Sequence, residues 1–419
     1  MANSLLTPLE ITREGLRVLH QESNFIGNVN RQYDDRFAVD GAKIGTQLNI
    51  RMPPQYSVRT GATYSGQDQV DRSQPLYVSS QYGVDVSWTS AELAMSLDDF
   101  SGRFIRPAMA QLVAKIEADC LTIAKNKTYQ YAGTTSTSMT YLSFAQTGQR
   151  LSEKLAPKAD RAALMSPLSR VNFGDATKGL FQSSEEIAKQ YKEGIMGRTG
   201  GFTVYENTLL PTHTIGTLAG TPLTTGAAIG TSTTANAWVS STDINIDGAT
   251  SGTTIKAGDI LTFGTLAAGL VDVHPESKVS LGRLKTFVAN ADVTVVTAGT
   301  ATVTVLPGVI YGVGNAYQNC SLTKADTDNM TVTNWGAASS QVNIDLMFHK
   351  DAFVFATADL IDVSKFGAWG ARESMDGISL RLARQYDASA DTVLTRFDIL
   401  WGFAPLYNQL ACKHIATLA

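Results

Sequence analysis

Five histidines, three cysteines, a glycine-rich cluster and a run of arginines are where any chemistry in this chain would have to start. His20, His213, His274, His349 and His414 are scattered, and none has a second His or Cys at a spacing that sets two ligands on one face. The pattern predicts no metal site. Cys120, Cys320 and Cys412 are odd in number and far apart, which fits neither a disulfide framework nor a zinc site. Each reads as a buried, reduced thiol. Gly197-Arg198-Thr199-Gly200-Gly201 is the richest glycine cluster, but no phosphate-cradling Lys-Ser/Thr and no helix follow it. It reads as a turn into a strand rather than a ligand loop. There is neither a dinucleotide fingerprint nor a Gly-x-Ser-x-Gly elbow.

Asp98-Asp99 could be paired carboxylates for acid–base work, although their place before a helix favours capping of its positive end. Arg372, Arg381, Arg384 and Arg396 could form a strip for nucleic acid. Glu373, Asp376, Asp387 and Asp398 interleave with them, which makes intersubunit or cross-strand ion pairing the stronger reading. Asn126-Lys127-Thr128 and Asn329-Met330-Thr331 match the glycosylation pattern, but the chain opens Met1-Ala2-Asn3-Ser4-Leu5-Leu6 with no secretory leader to give that meaning. No nucleophile, base or metal set emerges, so the expectation is no catalytic residue, no cofactor-binding residue and no metal ligand. The chain reads as a building unit, not an enzyme.

The elements that would position these residues form an α+β scaffold. At 419 residues the chain exceeds the roughly 250 to 300 that one core supports, so at least two cores are expected, one interrupting the other. Its composition is 43% hydrophobic and 17% charged with a net charge of -4, a low charge density that suggests surface covered by neighbours. Mild acidity argues against a protein that grips many phosphates. No segment approaches the roughly 18 apolar residues that span a bilayer, so no membrane partner is expected.

Thr7-Pro8-Leu9-Glu10 is a capping box that opens a short helix, with Leu6 and Ile11 as its staple. Polar residues then follow Gly27. From Thr46 to Trp88, alternation at Leu48, Ile50 and Met52, and again at Leu76, Val78, Val84, Val86 and Trp88, predicts a long two-stranded ribbon. Its tip, from Pro53-Pro54 through Gly61, Gly66, Asp68 and Asp71, has almost no core and must rest on something else, unless it is a disordered surface loop. Thr89-Ser90-Ala91-Glu92 is a second capping box. A helix from Pro107 to Asn126, roughly 30 Å long at about 1.5 Å per residue, carries an apolar stripe through Phe104, Ala108, Leu112, Ile116 and Cys120. Lys115, Glu117 and Asp119 face away from it, and Pro107 either begins its regular part or bends it.

Ala162 to Met165 reads as a buried strand, Ser166-Pro167 restarts a helix, Ser183-Ser184-Glu185-Glu186 caps another ending at Gly194, and Phe202 to Glu206 is a strand. From about Thr214 to Ser340 threonine and glycine rise and helical periodicity vanishes. Strands are expected at Ile260 to Phe263, Lys285 to Val288, Val293 to Val296 and Thr302 to Leu306, closing as a small barrel or sandwich. Alternation returns at Phe353 and Phe355, at Ile378 to Leu382 and at Val393 to Phe403, with Asp387 to Asp391 as a hairpin loop. Pairing these with strands from before the insertion would rebuild one sheet.

This order of parts resembles the major capsid protein of tailed bacteriophages, in the branch of the short-tailed Salmonella phage coat protein. The likeness is carried by Phe104 to Ala124, by Gly194-Ile195-Met196-Gly197-Arg198-Thr199-Gly200-Gly201-Phe202-Thr203-Val204-Tyr205-Glu206-Asn207, by Lys256 to Phe263, by Gly282 to Val288, by Phe348 to Phe353 and by Arg384 to Asp387. The resemblance implies the tailed-phage major capsid fold with an inserted all-β barrel. Its parts would be an N-terminal arm (1–45), an extended loop (46–88), a peripheral domain with the spine helix (89–160, completed by part of 342–419), the first part of an axial domain (161–213), the inserted barrel (214–341) and the returning strands (342–419).

Hexamers and pentamers of identical subunits would close an icosahedral head around double-stranded DNA that they contact weakly. A separate scaffolding protein, and a portal protein at one vertex, are the other implied partners. The chain would be made and assembled in the host cytoplasm and end in the virion capsid. The rival readings are an encapsulin-like bacterial shell and a carbohydrate-binding phage tail or adhesion protein built around the β insertion.

Overall fold

A computed structural model of the chain describes residues 8–22, 24–31, 47–64, 66–67, 69–89, 106–177, 197–226, 229–231, 236–361, 363–366, 369–375 and 378–418. The fold is α+β and mostly strands, in two compact units. The first comprises Met1–Ile50, Gln74–Leu121 and Phe353–Leu406, and the second Arg51–Ser73, Thr122–Ala352 and Tyr407–Ala419.

In the first unit the long Thr392–Pro405 strand organises a five-stranded sheet. It pairs antiparallel with Phe353–Ala358, Ile378–Asp387 and Ser80–Thr89, and Trp369–Met375 adds on beyond Ile378–Asp387. Asp387 faces Thr392 across the expected hairpin loop. The register places Val84 opposite Phe397 and Val86 opposite Thr395. This corrects the two-stranded ribbon: Arg72–Tyr77 returns alone against Gln47–Met52, while Val84, Val86 and Trp88 belong to the sheet. Alternation gave their period, but a partner more than 300 positions along the chain leaves no local trace. At the ribbon's root the backbones crowd, since a Cβ on Gly402 would lie 2.0 Å from the Tyr77 carbonyl oxygen.

The Pro8–Glu22 helix begins at the expected proline and packs on this sheet, with Gly15 close to Leu380 and Arg13 bonded to Glu373 at 3.1 Å. Thr7 and Leu6 of its cap and staple, the capping box after Thr89, Asp98-Asp99, Phe104 and the helix expected from Ser183 lie outside the described residues. The spine helix runs Arg106–Lys127, so Pro107 sits in its first turn, where it costs no helical hydrogen bond. Ala108, Leu112, Ile116 and Cys120 are buried as the stripe requires. Glu117 does not face away: it is 1% exposed and accepts a hydrogen bond from the Phe25 amide at 2.9 Å.

The second unit holds a seven-stranded sheet around Gln341–His349, which pairs antiparallel with Ala411–Thr417 and Arg161–Met165. Tyr131–Gly133 runs parallel to the former and Phe202–Glu206 parallel to the latter. Strands from before and after the insertion therefore do pair, but in two sheets rather than the expected one. Eight consecutive residues from Val342 to His349 are buried, the polar Asn343, Asp345 and His349 among them. The Tyr141–Glu153 helix, which hydrophobic period alone did not reveal, buries Phe144 and Leu151 and is capped by Thr140 and Ser143.

Between Gly220 and Asn334 the chain forms a six-stranded sheet ordered Val332–Asn334, Ile260–Phe263, Phe287–Ala289, Ala301–Leu306, Thr242–Ala249 and Gly220–Thr225. Ile244 and Ile246 face inward beside Val303 and Val305, while Thr302 and Thr304 bond Asn245 and Asp243 on the outer face at 2.7 and 2.5 Å. The first and last strands also meet: Thr224 N donates to Met330 O at 2.9 Å and Asn329 N to Thr224 O at 2.8 Å. Phe263 and Phe287 pack 5.5 Å apart at the centre.

Candidate functional site: a buried charge cluster and a ribbon seat

The residues that could do chemistry are mostly tied up. Cys120, Cys320 and Cys412 are buried and unpaired, and burial pushes the Cys320 and Cys412 thiols up to about 12. Among the described residues no three His, Cys, Asp or Glu side chains gather as a metal site. Within Gly197 to Gly201, Arg198–Thr199 is a short strand and Gly200-Gly201 is the tight turn that joins it to Phe202–Glu206. Of the arginines, Arg381 and Arg396 both bond the buried Asp398, at 2.5 and 2.6 Å, and Arg372 pairs with Asp359. Arg384 lies over the Trp369 ring at 4.3 Å. Cross-strand pairing thus accounts for Arg381, which faces Asp398 in register.

One convergence had no signal in the sequence. Ser143 Oγ, His414 Nε2 and Asp345 form a line, with 2.9 Å from serine to histidine and 3.4 Å from His414 Nδ1 to Asp345 Oδ2. The types suit an activated nucleophile, but the hydrogen bonds do not. Ser143 Oγ also serves the cap at Thr140, accepting from the Thr140 amide and donating to the Thr140 carbonyl, each at 3.0 Å. Asp345 is committed to the Ser166 amide and the Ser169 hydroxyl at 2.8 and 2.6 Å. The arrangement fastens the Tyr141–Glu153 helix to the sheet.

Asp272 meets three cations. It is 4% exposed and takes Lys154 at 2.7 Å, Arg283 at 2.9 Å and Lys285 at 3.2 Å, while Arg283 also bonds Glu153. Burial alone would raise the Asp272 pKa, but Lys285, Lys154 and Arg283 together hold it down to about 2. Burial, with repulsion from Lys285, pulls Lys154 down to about 7. Lys285 loses more hydration still, yet Asp272 and the Tyr129 ring beneath it at 4.6 Å keep its pKa raised. A third buried lysine, Lys413, is held at about 7 by burial and by Lys125, and donates to Gly258 O at 2.7 Å. Gly258 has φ +95 and stands so close to Asn126 that a Cβ would lie 2.8 Å from its side-chain oxygen, so only glycine fits this turn. Charge inside this unit ties the six-stranded section to the Tyr141–Glu153 helix and to the C-terminal strand.

The ribbon tip is the other feature with a function to explain. The described residues between 53 and 71 carry no strand, and Tyr56, Val58 and Tyr64 are 62%, 95% and 86% exposed. The tip is held by polar contacts to the 312–319 loop. Tyr317 Oη accepts from the Gln55 amide at 3.1 Å and donates to Val70 O at 3.2 Å, and Arg72 stacks over its ring at 4.9 Å. Asn236 donates to Gln67 at 3.4 Å. Tyr317, Asn236 and Arg72 had no signal in the sequence, because hydroxyl-to-backbone contacts have no spacing.

Comparison with known proteins gives a context for these features. The family model described as "P22 coat protein - gene protein 5" matches residues 33–410. No curated protein matches the chain. Solved structures similar to it include Mycobacterium phage Che8, at 10% identity and TM-score 0.43, covering 94% of this chain and 90% of that one. The capsid structure of the Cyanophage P-SCSP1u matches at 11% identity and TM-score 0.43, covering 90% and 84%. The satellite phage P4 procapsid including size determination (Sid) protein matches at 7% identity and TM-score 0.39, covering 99% and 91%. The assignment rests on the family match, which spans most of the sequence. The chain belongs to the P22 coat protein family and is a major capsid protein of a bacteriophage head.

Proposed function

We propose that identical copies of this chain assemble as hexamers and pentamers into an icosahedral head that encloses double-stranded DNA. The family match does not favour an encapsulin-like shell or a carbohydrate-binding tail protein. In this reading the tailed-phage capsid fold divides into an arm (1–45), an extended loop (46–88), a peripheral domain with the spine helix (89–160, completed by part of 342–419), the first part of an axial domain (161–213), an inserted β-barrel (214–341) and the returning axial and peripheral strands (342–419). The hydrogen bonds joining Thr224 to Met330 and Asn329, at the two outer strands, support closure of that barrel. A net charge of -4 suits a lining that contains DNA without gripping it. A separate scaffolding protein, a portal at one vertex and assembly in the host cytoplasm complete the proposal.

Within the family assignment, the observation that carries the assembly reading is the ribbon tip: a segment with no core and three large exposed apolar side chains, 62% or more exposed, on a chain built to associate with itself. Deleting Pro53 to Gln74 is expected to leave a soluble subunit that forms no shells by sedimentation and negative-stain microscopy. Normal particles from the deletion would contradict the proposal.

A further inference from the structure

We propose that a cleft on the second unit, lined by Trp335, Tyr131, Arg150 and Arg283, binds a single nucleotide, with its phosphate on the guanidinium groups and its base against the two rings. Adjoining cavities of about 430 and 370 Å³ share these four residues. Each falls in the size range of small-molecule sites, roughly 300–1,000 Å³. Four elements meet there. Tyr131 opens Tyr131–Gly133, Arg150 sits in the last turn of the Tyr141–Glu153 helix, Arg283 is in Ser280–Leu284, and Trp335 follows Val332–Asn334. The site lies within one chain and is independent of the assembly reading.

Charge beside the cleft is unbalanced. Arg150, Lys154, Arg283 and Lys285 stand with two carboxylates, and both are taken: Asp272 by Lys154, Arg283 and Lys285, and Glu153 by Arg283 and, at 2.8 Å, by Gln149. Among the described residues Arg150 has no hydrogen-bond or ion-pair partner. It is half-buried, and burial with repulsion from Arg283 lowers its pKa. The last turn of a helix favours a cation, which accounts for a basic residue at 150 but not for sinking it beside another. A half-buried cation with no partner costs stability, and it points to a counter-charge brought by a ligand. Arg283 spends Nη1 on Glu153 and Nη2 on Asp272, so it supplies charge from a fixed plane, while Arg150 keeps its donor fork for phosphate oxygens. The rings supply the other half of the site. Trp335 and Tyr131 pack 4.7 Å apart, both partly buried against Ile215, Ile260 and Ile415. An accessible ring beside guanidinium groups is how proteins hold an unpaired base and its phosphate together. A ligand with no ring would leave this wall bare, and an apolar one would leave Arg150 unpaired.

The test uses the full-length chain as free subunits, titrated with a fluorescent methylanthraniloyl-dATP and photolabelled with azido-ATP. Saturable binding tighter than about 1 mM is expected, with the photolabel mapped by mass spectrometry to peptides holding Tyr131 or Trp335. Unlabelled dATP should displace the probe. Deoxyadenosine, which lacks phosphate, and inorganic tripolyphosphate, which lacks a base, should each compete at least tenfold more weakly. Arg150→Gln is expected to weaken binding at least tenfold while the melting temperature holds or rises, because an unpaired charge has been removed. Arg150→Lys keeps the charge without the fork and should recover only part of the affinity. Comparing dATP with a short oligodeoxyadenylate names the source: tighter binding by either supports the site, as a free nucleotide or as an unpaired residue of a strand. A duplex of the same length, whose bases are stacked inside, should compete no better than tripolyphosphate. No saturable binding, a photolabel placed elsewhere, or tripolyphosphate or duplex competing as well as dATP overturns the nucleotide site. So does Arg150→Gln binding like the wild type, or losing several degrees of melting temperature, which would make the arginine a structural residue.

Discussion

Replacing Asp272 by asparagine keeps the shape of the side chain and removes the one carboxylate bonded by Lys154 and Lys285. Those two ammonium groups are 4% and 2% exposed, so neither gains water in compensation. Stranding a buried charge costs about 3–5 kcal/mol, and that loss is expected at pH 6, where both lysines are charged. The deficit must also depend on pH. With a folded pKa of about 7 against 10.5, Lys154 holds its proton more weakly when folded, so between those values the unfolded chain binds more protons. Wild-type stability therefore rises with pH through that window, by at most roughly 5 kcal/mol from this group. At pH 9 Lys154 is neutral in both proteins and Asp272→Asn strands only Lys285, so the deficit should narrow by about half. Urea unfolding followed through Trp335, which packs 4.7 Å from Tyr131 in the same unit, measures both values. Adding Lys285→Met should restore part of the loss, because the pair is not additive. A deficit below about 1 kcal/mol at pH 6, or one that is the same at pH 6 and pH 9, would refute the charge argument.

Three further outcomes follow from other parts of the molecule. Ser143→Ala should cost about 1 kcal/mol through the lost cap, and neither wild type nor variant should react with a fluorophosphonate probe. Covalent labelling of Ser143 would mean that the serine is activated after all. Residues 214–340 expressed alone should give a cooperative β-type circular dichroism spectrum; a disordered spectrum would count against the proposed boundary. Gly402→Ala forces a methyl group against the Tyr77 carbonyl and should cost about 1–3 kcal/mol, read as a lower melting temperature, with an unchanged value showing that the root of the ribbon yields freely.

What could be read from the sequence was what local rules control. Pro107 and the buried four-residue stripe placed the spine helix, and Ile260 to Phe263 and Phe202 to Glu206 stand where alternation and turn residues put them. The Tyr141–Glu153 helix escaped because Thr147 and Gly148 weaken its propensity and its cap closes with Ser143 rather than an acidic residue; burial of Phe144 and Leu151 decides it. Glu117, Lys154, Lys285 and Lys413 look like surface residues in any window of sequence, since their partners come from distant strands and helices. The likeness to a capsid family was carried by an ordered series of short segments, none of which names a contact. The seat at Tyr317 is defined by the three-dimensional path of the backbone, which no spacing encodes.

The two ends of the six-stranded section leave it side by side, with His213–Thr214 paired to Gln341–Val342. Every strand partner inside that section lies between Gly220 and Asn334, so it can close while the C-terminal strands are still unsynthesised. Once closed, it shortens the search that follows. Ser166 and Asp345, 179 positions apart along the chain, become separated by only about fifty flexible residues, which lowers the loop-closure entropy of the central sheet and speeds its formation.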